Sequence, residues 1–381
     1  MTLLNSSTSP TAGAGHTGWQ CFDVHGRVKM GVENDAPTAP QTAVMFADFL
    51  ADGERDEPTA GFDLTVSGRF EDVHGVAYAE DDFAYRVDAI DLRSPHLQIL
   101  RDGARFRLNG GGELLTTILP LLDRLMVERG AAMIHAATVT MDGRGIALPA
   151  AGGVGKTSTI AKLAKLPGMG FMGDDWAFLT DGGDLLGFGK PMFIRPHHRE
   201  IYPHLFTGAR KPLVPRSLSR PVGQLTTIVH PVIVQYPQLA AFVRKWSPEH
   251  KMVRPQDALP DVPMVRSAPL TASVYLERHD GSASELIDIS RDDMVGRMLG
   301  NFHSEMTVHS REIVNLLGAV GMIPLSRIFA EKAVVLEQAL TGVPTLLLRV
   351  PRRWSADRAS DAIVAELGTI LAGSAATDPA R

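Results

Sequence analysis

Residues 145–160 read GIALPAAGGVGKTSTI. A short apolar run, typical of a buried strand, enters a glycine-rich loop, and Gly155-Lys156-Thr157 then opens a helix-like segment. In a phosphate-binding loop, successive backbone N–H groups surround the nucleotide phosphates, the lysine ammonium reaches the terminal phosphates, and the threonine hydroxyl binds Mg²⁺. The stretch therefore predicts a strand, a loop and a helix that together bind a nucleotide.

The loop departs from the strict pattern at one position. That pattern has a glycine six residues before the lysine, where this chain has Ala150. Glycines remain where the backbone must approach phosphate closely. The nucleotide-binding residues predicted in this way are Gly152, Gly153, Val154, Gly155, Lys156, Thr157 and Ser158. A glycine-rich turn without a ligand is the alternative.

The composition is that of an ordinary globular protein, with 44% hydrophobic and 21% charged residues among 381. The single cysteine, Cys21, excludes a disulfide framework and cysteine-based metal clusters, and it suits a reducing cytoplasm, where we expect the protein. No stretch approaches the roughly 20 apolar residues that span a bilayer, so we expect no membrane partner.

Charge is distributed unevenly along the chain. Residues 1–128 carry 20 acidic and 10 basic residues, whereas residues 129–381 carry 23 and 28. Residues 201–248 lack carboxylates but hold six basic residues. This basic second half suits a phosphate-bearing ligand, with a solvated basic surface as an equal alternative. A nucleic-acid partner is not expected, because aromatic residues make up only 6% of the chain and the net charge is −5.

The pattern of apolar runs and turn residues predicts the domain organisation. We expect disordered tails at 1–18 and 374–381, an N-terminal α+β module at 19–110, and an α/β domain at 111–373. Within the second domain, residues 196–260 form a proline-rich and basic insertion that we expect to face a substrate.

Several elements are predicted from periodicity. We expect a helix over 113–130 that Pro120 kinks or restarts, and a single strand over 170–180. The other expected helices lie at 41–51, 156–165, 290–300, 309–319, 326–341 and 355–372. The other expected strands beyond residue 129 lie at 132–140, directly before the strand that enters the loop, and at 228–236, 273–280 and 345–350.

A pair of carboxylates follows the loop. Asp174 and Asp175 lie about 18 residues beyond Lys156, where a bend at Gly173 could turn both toward one metal and phosphate centre. Phosphoryl transfer needs such groups to hold Mg²⁺ and to orient or deprotonate the nucleophile. A solvated acidic turn is the alternative for this pair, and a hydrogen-bonded core residue is the alternative for His135.

These motifs carry a family likeness. IHAATVTMDGRGIALPAAGGVGKTSTIAKL (134–163) followed by GFMGDDWAFL (170–179) resembles the C-terminal catalytic domain of the HPr kinase/phosphorylase family and its relatives. Those relatives share a nucleotide-binding fold with phosphoenolpyruvate carboxykinases. The resemblance covers about residues 125–195, and it implies an α/β P-loop kinase domain joined to the smaller N-terminal module.

The resemblance also implies roles for individual residues. Lys156 and Thr157 would bind phosphate and Mg²⁺, and Asp175 would be a second Mg²⁺ ligand. Asp174, helped by His135, would be the general base toward the acceptor hydroxyl, although the order within the aspartate pair stays open. The segment GFGKPMFIRP (187–196) makes Lys190 and Arg195 candidates for stabilising charge, with a surface hairpin as the alternative.

The resemblance is to the broader set of kinases rather than to true HPr kinases. A Glu-Ile-Arg-Gly-type run marks the latter, and HREIYPHLF (198–206) does not match it. The resemblance therefore implies a Mg²⁺-dependent enzyme that transfers phosphate from ATP or GTP to a hydroxyl of a small metabolite or peptide, as in natural-product pathways. It also implies a homo-oligomer.

The carboxylate-free basic stretch favours an anionic acceptor, or simply the donor phosphates. The basic residues named as candidates are Arg199, Arg210, Lys211 and Arg216.

Three other functions compete with this one. A non-catalytic nucleotide-binding regulatory protein would tolerate loss of the aspartate pair, which is intact here. A protein-serine kinase of HPr type would need the missing second signature. An ATPase or GTPase motor would need later sensor or switch motifs, and the sequence has none that we recognise.

Overall fold

A computed structural model of the chain describes residues 18–51, 61–73, 77–79, 83–93, 96–110, 114–206 and 251–376. Most of the predicted insertion lies outside the described residues, and so do the predicted strand 228–236 and the basic side chains of Arg210, Lys211 and Arg216. The described chain is a mixed α/β structure, as expected.

The first sheet has eight strands in the order β1-β2-β3-β8-β7-β6-β5-β4. Its strands are β1 (Trp19–Val24), β2 (Val28–Glu33), β3 (Leu64–Ser67), β4 (Ala77–Ala79), β5 (Phe83–Arg86), β6 (Ala89–Arg93), β7 (His96–Asp102) and β8 (Arg105–Gly110). Strand β3 runs parallel to β2 and β8, and the other pairs are antiparallel. Helix α1 (Ala39–Met45) and a 3-10 turn (Ala47–Phe49) overlap the helix predicted over 41–51, although α1 begins two residues earlier.

The second sheet carries the phosphate loop. Its strands are β9 (Ala131–Met141), β10 (Arg144–Pro149), β11 (Met169–Gly173), β12 (Trp176–Thr180), β13 (Asp184–Gly187), β16 (Ser267–His279), β17 (Glu285–Asp288) and β18 (Thr345–Pro351). Strand β10 lies between antiparallel β9 and parallel β16, and β18 runs parallel to β16. The loop therefore leaves the sheet at the carboxyl end of an interior strand, the edge at which open α/β sheets bind their ligands. A separate hairpin pairs β14 (Met192–Ile194) with β15 (Lys251–Val253).

The helices of the second part are α2 (Leu114–Val127), α3 (Lys156–Leu163), α4 (Pro255–Ala258), α5 (Arg291–Glu305), α6 (Val308–Ala319), α7 (Leu325–Ala339) and α8 (Ala356–Ala376). They match the predicted ranges closely, except for the short α4, which lies in the segment predicted as an insertion and was not predicted. Side-chain caps explain two of the starts, since Ser290 accepts from Asp293 N–H and Thr307 from Ser310 N–H. The predicted C-terminal tail begins inside α8, which continues to Ala376.

The single strand predicted over 170–180 is wrong. The structure divides it into β11 and β12 at Asp174 and Asp175, and both halves pair with β9. Gly173 permits the break, because a β-carbon there would lie 2.7 Å from the carbonyl oxygen of Trp176. The chain therefore bends at Gly173, the position at which the sequence predicts a bend.

Helix α2 runs through Pro120 as one element and is not restarted there. Because a proline has no N–H, the carbonyl four residues earlier loses its helical donor. In α2 this carbonyl belongs to Thr116. The Ser310 hydroxyl on α6 donates to that carbonyl at 2.6 Å. A neighbouring helix therefore supplies the hydrogen bond that the proline removes.

One hydrophobic core joins the two sheets. Phe22, Phe46 and Leu64 of the N-terminal part belong to the same buried cluster as Phe178 and Phe188 of the second sheet. Across this seam His25 Nε2 lies 2.8 Å from the carbonyl oxygen of Gly187. The N-terminal module therefore packs on the domain that carries the loop.

None of the helices in the described part of the chain is long and apolar enough to cross a membrane.

Candidate functional site

The phosphate loop connects β10 to α3. Gly153 and Gly155 have φ values of +82° and +119°, which side chains rarely tolerate, and Gly155 is the N-cap of α3. Ala150 is not among the residues with positive φ, and it is fully buried. The alanine therefore replaces the first glycine of the pattern without backbone strain.

Lys156 points into the loop that precedes it. Its Nζ donates to the carbonyl oxygen of Ala150 at 2.6 Å, and the side chain is buried. Burial lowers the pKa of Lys156, opposed by the carboxylates of Asp175, Asp174 and Glu305. The ammonium thus points back into the loop, where three carboxylates act on its charge.

Thr157 and Asp174 are in direct contact. The Thr157 hydroxyl donates to Asp174 Oδ2 at 3.1 Å, and Asp174 is almost completely buried. Burial, reinforced by the charge of Asp175, raises the pKa of Asp174 to about 6. The hydroxyl expected to bind Mg²⁺ therefore faces the first aspartate of the pair.

Asp175 contacts a different set of side chains from Asp174. Its Oδ2 accepts from Lys190 Nζ at 2.6 Å, and its Oδ1 lies 3.7 Å from His135 Nε2. Burial acts to raise the pKa of Asp175, but the neighbouring His135 and the charge and hydrogen bond of Lys190 outweigh it and hold that pKa well below its usual range. Asp175 is thus an ionised carboxylate.

The lysine that holds Asp175 is itself held by aromatic rings. Lys190 is buried, and its Nζ lies 4.9 Å from the Trp176 ring centroid and 5.0 Å from that of Phe193. Cation–π contacts of this kind fix a lysine that would otherwise be mobile.

His135 is oriented from its other side by Asn301 on α5. The Asn301 amide nitrogen donates to the carbonyl oxygen of His135 at 3.0 Å and lies 3.3 Å from His135 Nδ1. If Nδ1 accepts from that amide, the ring proton is on Nε2 and faces Asp175. Sequence reasoning missed Asn301, which has no motif around it and lies 166 residues from His135.

Glu305, at the end of α5, is the second residue that sequence reasoning missed. Its Oε1 accepts from the backbone N–H of Gly152 in the loop at 2.6 Å. A third is Tyr202, whose hydroxyl donates to the carbonyl oxygen of Thr157 at 3.3 Å. No sequence signal marks either of them, because both reach the loop from distant segments.

A cavity of about 260 Å³ adjoins Asp175, Lys190 and Glu305. Its other lining residues come from α1, α2, β9, β12, the β14–β15 hairpin, α5, α6 and the turn between those two helices: Gln41, Val44, Met45, Thr116, Leu119, Pro120, Met133, Trp176, Phe193, Met252, Phe302, Met306, Thr307 and Ser310.

The remaining predicted residues divide into two groups. Val154 and Ser158 are buried, and Val154 belongs to a hydrophobic cluster with residues of β9 and β10. The side chain of Arg195 is exposed at the start of a 3-10 turn (Pro196–Glu200), and Arg199 lies 5.4 Å from the Phe206 ring. Two cations were predicted to stabilise charge, Lys190 and Arg195. The structure places Lys190 in contact with Asp175.

The donor set at the loop suits Mg²⁺. In the described part of the chain, no three histidine, cysteine or acidic side chains cluster as a metal site would require. Mg²⁺ does not need such a cluster, since it binds through one or two carboxylates, substrate phosphates and water. The Thr157 hydroxyl beside Asp174 offers the hard oxygen ligands that this ion prefers.

Neither a protein-family model nor a curated protein matches this chain.

Proposed function

We propose that this protein is a Mg²⁺-dependent kinase that transfers the γ-phosphate of ATP or GTP to a hydroxyl group. The observation that carries the proposal is the contact between Thr157 of the loop and buried Asp174, at 3.1 Å. It brings the phosphate-binding residues and the aspartate pair into one centre, and the pair in turn borders a cavity that can hold an acceptor.

The contacts favour a division of roles that reverses the order implied by the resemblance. Asp174 touches the Mg²⁺-binding hydroxyl, so we assign it with Thr157 to the metal. Asp175 lines the cavity and faces His135, so we assign it to the acceptor hydroxyl. Lys156 and the loop N–H groups bind the phosphates.

The reaction then follows from these positions. The acceptor oxygen attacks the γ-phosphorus and forms a new P–O bond, while the bond from that phosphorus to the β–γ bridging oxygen breaks. The hydroxyl proton passes to the Asp175 carboxylate, with His135 beside it. Lys156 stabilises the charge on the departing nucleoside diphosphate. When bound, Mg²⁺ neutralises further charge on the phosphates.

Lys156→Ala tests the loop directly. We expect saturating Mg-ATP or Mg-GTP to raise the Tm of the wild type by a few degrees and to leave that of the variant unchanged, because ligand binding stabilises only a fold that binds it. Phosphoryl transfer should fall at least about 100-fold.

Lys165→Ala is the matched control, since Lys165 is exposed and lies beyond the end of the same helix. It should keep the nucleotide-induced shift. If Mg-ATP or Mg-GTP raised the Tm of Lys156→Ala as much as that of the wild type, the loop would not be the nucleotide-binding site.

A further inference from the structure

The cavity beside Asp175 restricts what the acceptor can be. We propose that the acceptor is a small, uncharged alcohol with an apolar body, which occupies the cavity and presents its hydroxyl to Asp175. The inference rests on the proposed kinase function and specifies the substrate class of that site. Three observations carry it: most lining side chains are apolar, the cation of the described lining is paired with a carboxylate, and Thr307 and Ser310 of the lining already take part in hydrogen bonds.

The lining is dominated by large apolar side chains. Those that are buried or half-buried are Met45, Leu119, Pro120, Met133, Trp176, Met252, Phe302 and Met306. Four are methionines, whose flexible thioethers adapt to irregular apolar shapes. Burying apolar surface is the main source of affinity in such a cavity.

The charged groups of the described lining disfavour an anionic acceptor. They are Asp175, Lys190 and Glu305. The one cation among these described lining residues, Lys190, is already paired with Asp175 at 2.6 Å. Glu305 and Asp175 would repel a second anion, so the described lining residues offer an anionic acceptor no cation that is not already paired.

The polar groups disfavour a peptide. The Ser310 hydroxyl donates to the carbonyl oxygen of Thr116, and Thr307 Oγ1 accepts from the backbone N–H of Ser310. A peptide brings one N–H and one C=O per residue, each of which must find a partner when buried. A lining made mostly of thioethers, rings and aliphatic groups supplies few of them, whereas an apolar alcohol buries a single polar group.

The charged side of the cavity is also the side that adjoins the phosphate loop. Glu305, which lines the cavity, accepts from Gly152 N–H in that loop. Asp175 lies next to Asp174, which contacts Thr157. An alcohol with its hydroxyl at Asp175 would therefore have its oxygen toward the phosphates and its apolar body among the methionines.

The test measures binding of the 1-alkanols from butanol to octanol to the full-length protein by calorimetry, with glycerol as the polar reference. Each buried methylene should strengthen binding about fourfold until the cavity is filled. Val44→Glu places a carboxylate at the cavity, where Val44 is 43% exposed, and should weaken octanol binding at least about tenfold. Val87→Glu is the matched control, at a 68% exposed valine away from the cavity, and should change nothing.

The outcomes separate this inference from the kinase proposal. Affinity that does not rise with chain length, glycerol binding as tight as octanol binding, or an unaffected Val44→Glu would overturn the apolar acceptor. Loss of Mg-ATP binding in Val44→Glu would also overturn it, because the cavity would then hold the nucleotide. A wild type without a nucleotide-induced Tm shift would instead overturn the kinase function itself.

Discussion

At the residue scale, Asp174 and Asp175 are neighbours with different surroundings. One contacts the hydroxyl of Thr157, and the other contacts Lys190 and lies beside His135. Adjacent carboxylates in such different environments can serve different steps of one reaction.

The two aspartates should therefore respond differently to Mg²⁺. Asp174→Asn should raise the Mg²⁺ concentration for half-maximal transfer by about tenfold or more, because it removes a metal ligand. Asp175→Asn should lower kcat by about 10²–10⁴ and leave that concentration unchanged, because it removes a proton acceptor. Phosphate-transfer rates measured across a Mg²⁺ titration distinguish the two, and the opposite pattern would restore the order that the resemblance implies.

Part of this site could be predicted from the sequence and part could not. Gly155, Lys156 and Thr157 belong to a local motif, whose chemistry is encoded by spacing alone. Asn301 and Glu305 come from a helix about 150 residues further on, and nothing near them in the sequence indicates that it packs on the loop. Side-chain partners of that kind are set by tertiary packing.

At the element scale, helix periods were predicted well, and the broken strand at 170–180 was not. Apolar alternation continues on both sides of Asp174 and Asp175, so the pattern resembles one strand. At the break, the backbone of Gly173 lies so close to the carbonyl oxygen of Trp176 that a side chain would not fit. The apolar pattern carries no sign of this contact. The uninterrupted α2 has a similar cause, since its helical path through Pro120 depends on Ser310.

Ser310→Ala tests that dependence. We expect it to lower the free energy of unfolding by about 0.5–1.5 kcal/mol, because it removes the hydroxyl that donates to the carbonyl of Thr116. In a Pro120→Ala background, the helix regains its own N–H, and the same substitution should cost less. Urea unfolding of the four proteins gives both costs, and equal costs would show that the hydroxyl does not serve this carbonyl.

A buried ion pair links three helices. Lys332 on α7 donates to Asp123 on α2 at 2.8 Å, and its Nζ lies 3.2 Å from the ring centroid of Phe302 on α5. Lys332→Met should lower the free energy of unfolding by about 3–5 kcal/mol, because it leaves Asp123 charged and unpaired. The double variant Asp123→Asn with Lys332→Met should recover most of the loss, and a double variant as unstable as the single one would contradict this account.

The same pair predicts a pH dependence. Burial lowers the pKa of Lys332 from 10.5 to about 8, so between these values the unfolded chain binds more protons than the folded one. The contribution of Lys332 to stability should therefore rise as the pH increases through this window. The difference in unfolding free energy between wild type and Lys332→Met should therefore be larger at pH 9.5 than at pH 7. The same difference at both pH values would be evidence against a lowered pKa.

At the scale of the whole molecule, the two sheets are bound by a common core. Phe46 of the N-terminal part lies 5.2 Å from Phe188 of the second part, ring centroid to ring centroid, in an edge-to-face arrangement. The cavity lining also combines Met45 with Phe302. The pattern of apolar runs and turn residues predicts that 19–110 is a module. The seam, however, joins residues about 140 positions apart and the cavity joins residues more than 250 positions apart, and no local pattern connects them.

Unfolding should consequently be cooperative across both sheets. Calorimetry should show one transition for the wild type, and Phe188→Ala should shift that whole transition at a cost of about 3–5 kcal/mol. Two separate transitions, with only one of them moved by the substitution, would contradict a shared core.

The most direct test of the central claim is mass spectrometry of the protein incubated with Mg²⁺, ATP or GTP, and a mixture of small alcohols and peptides. We predict that an apolar alcohol gains one phosphate, a mass increase of about 80 Da, and that Lys156→Ala abolishes this product. If nucleotide binds tightly but no member of the mixture gains phosphate, the protein is a nucleotide-binding regulator, and the catalytic roles of Asp174 and Asp175 are refuted.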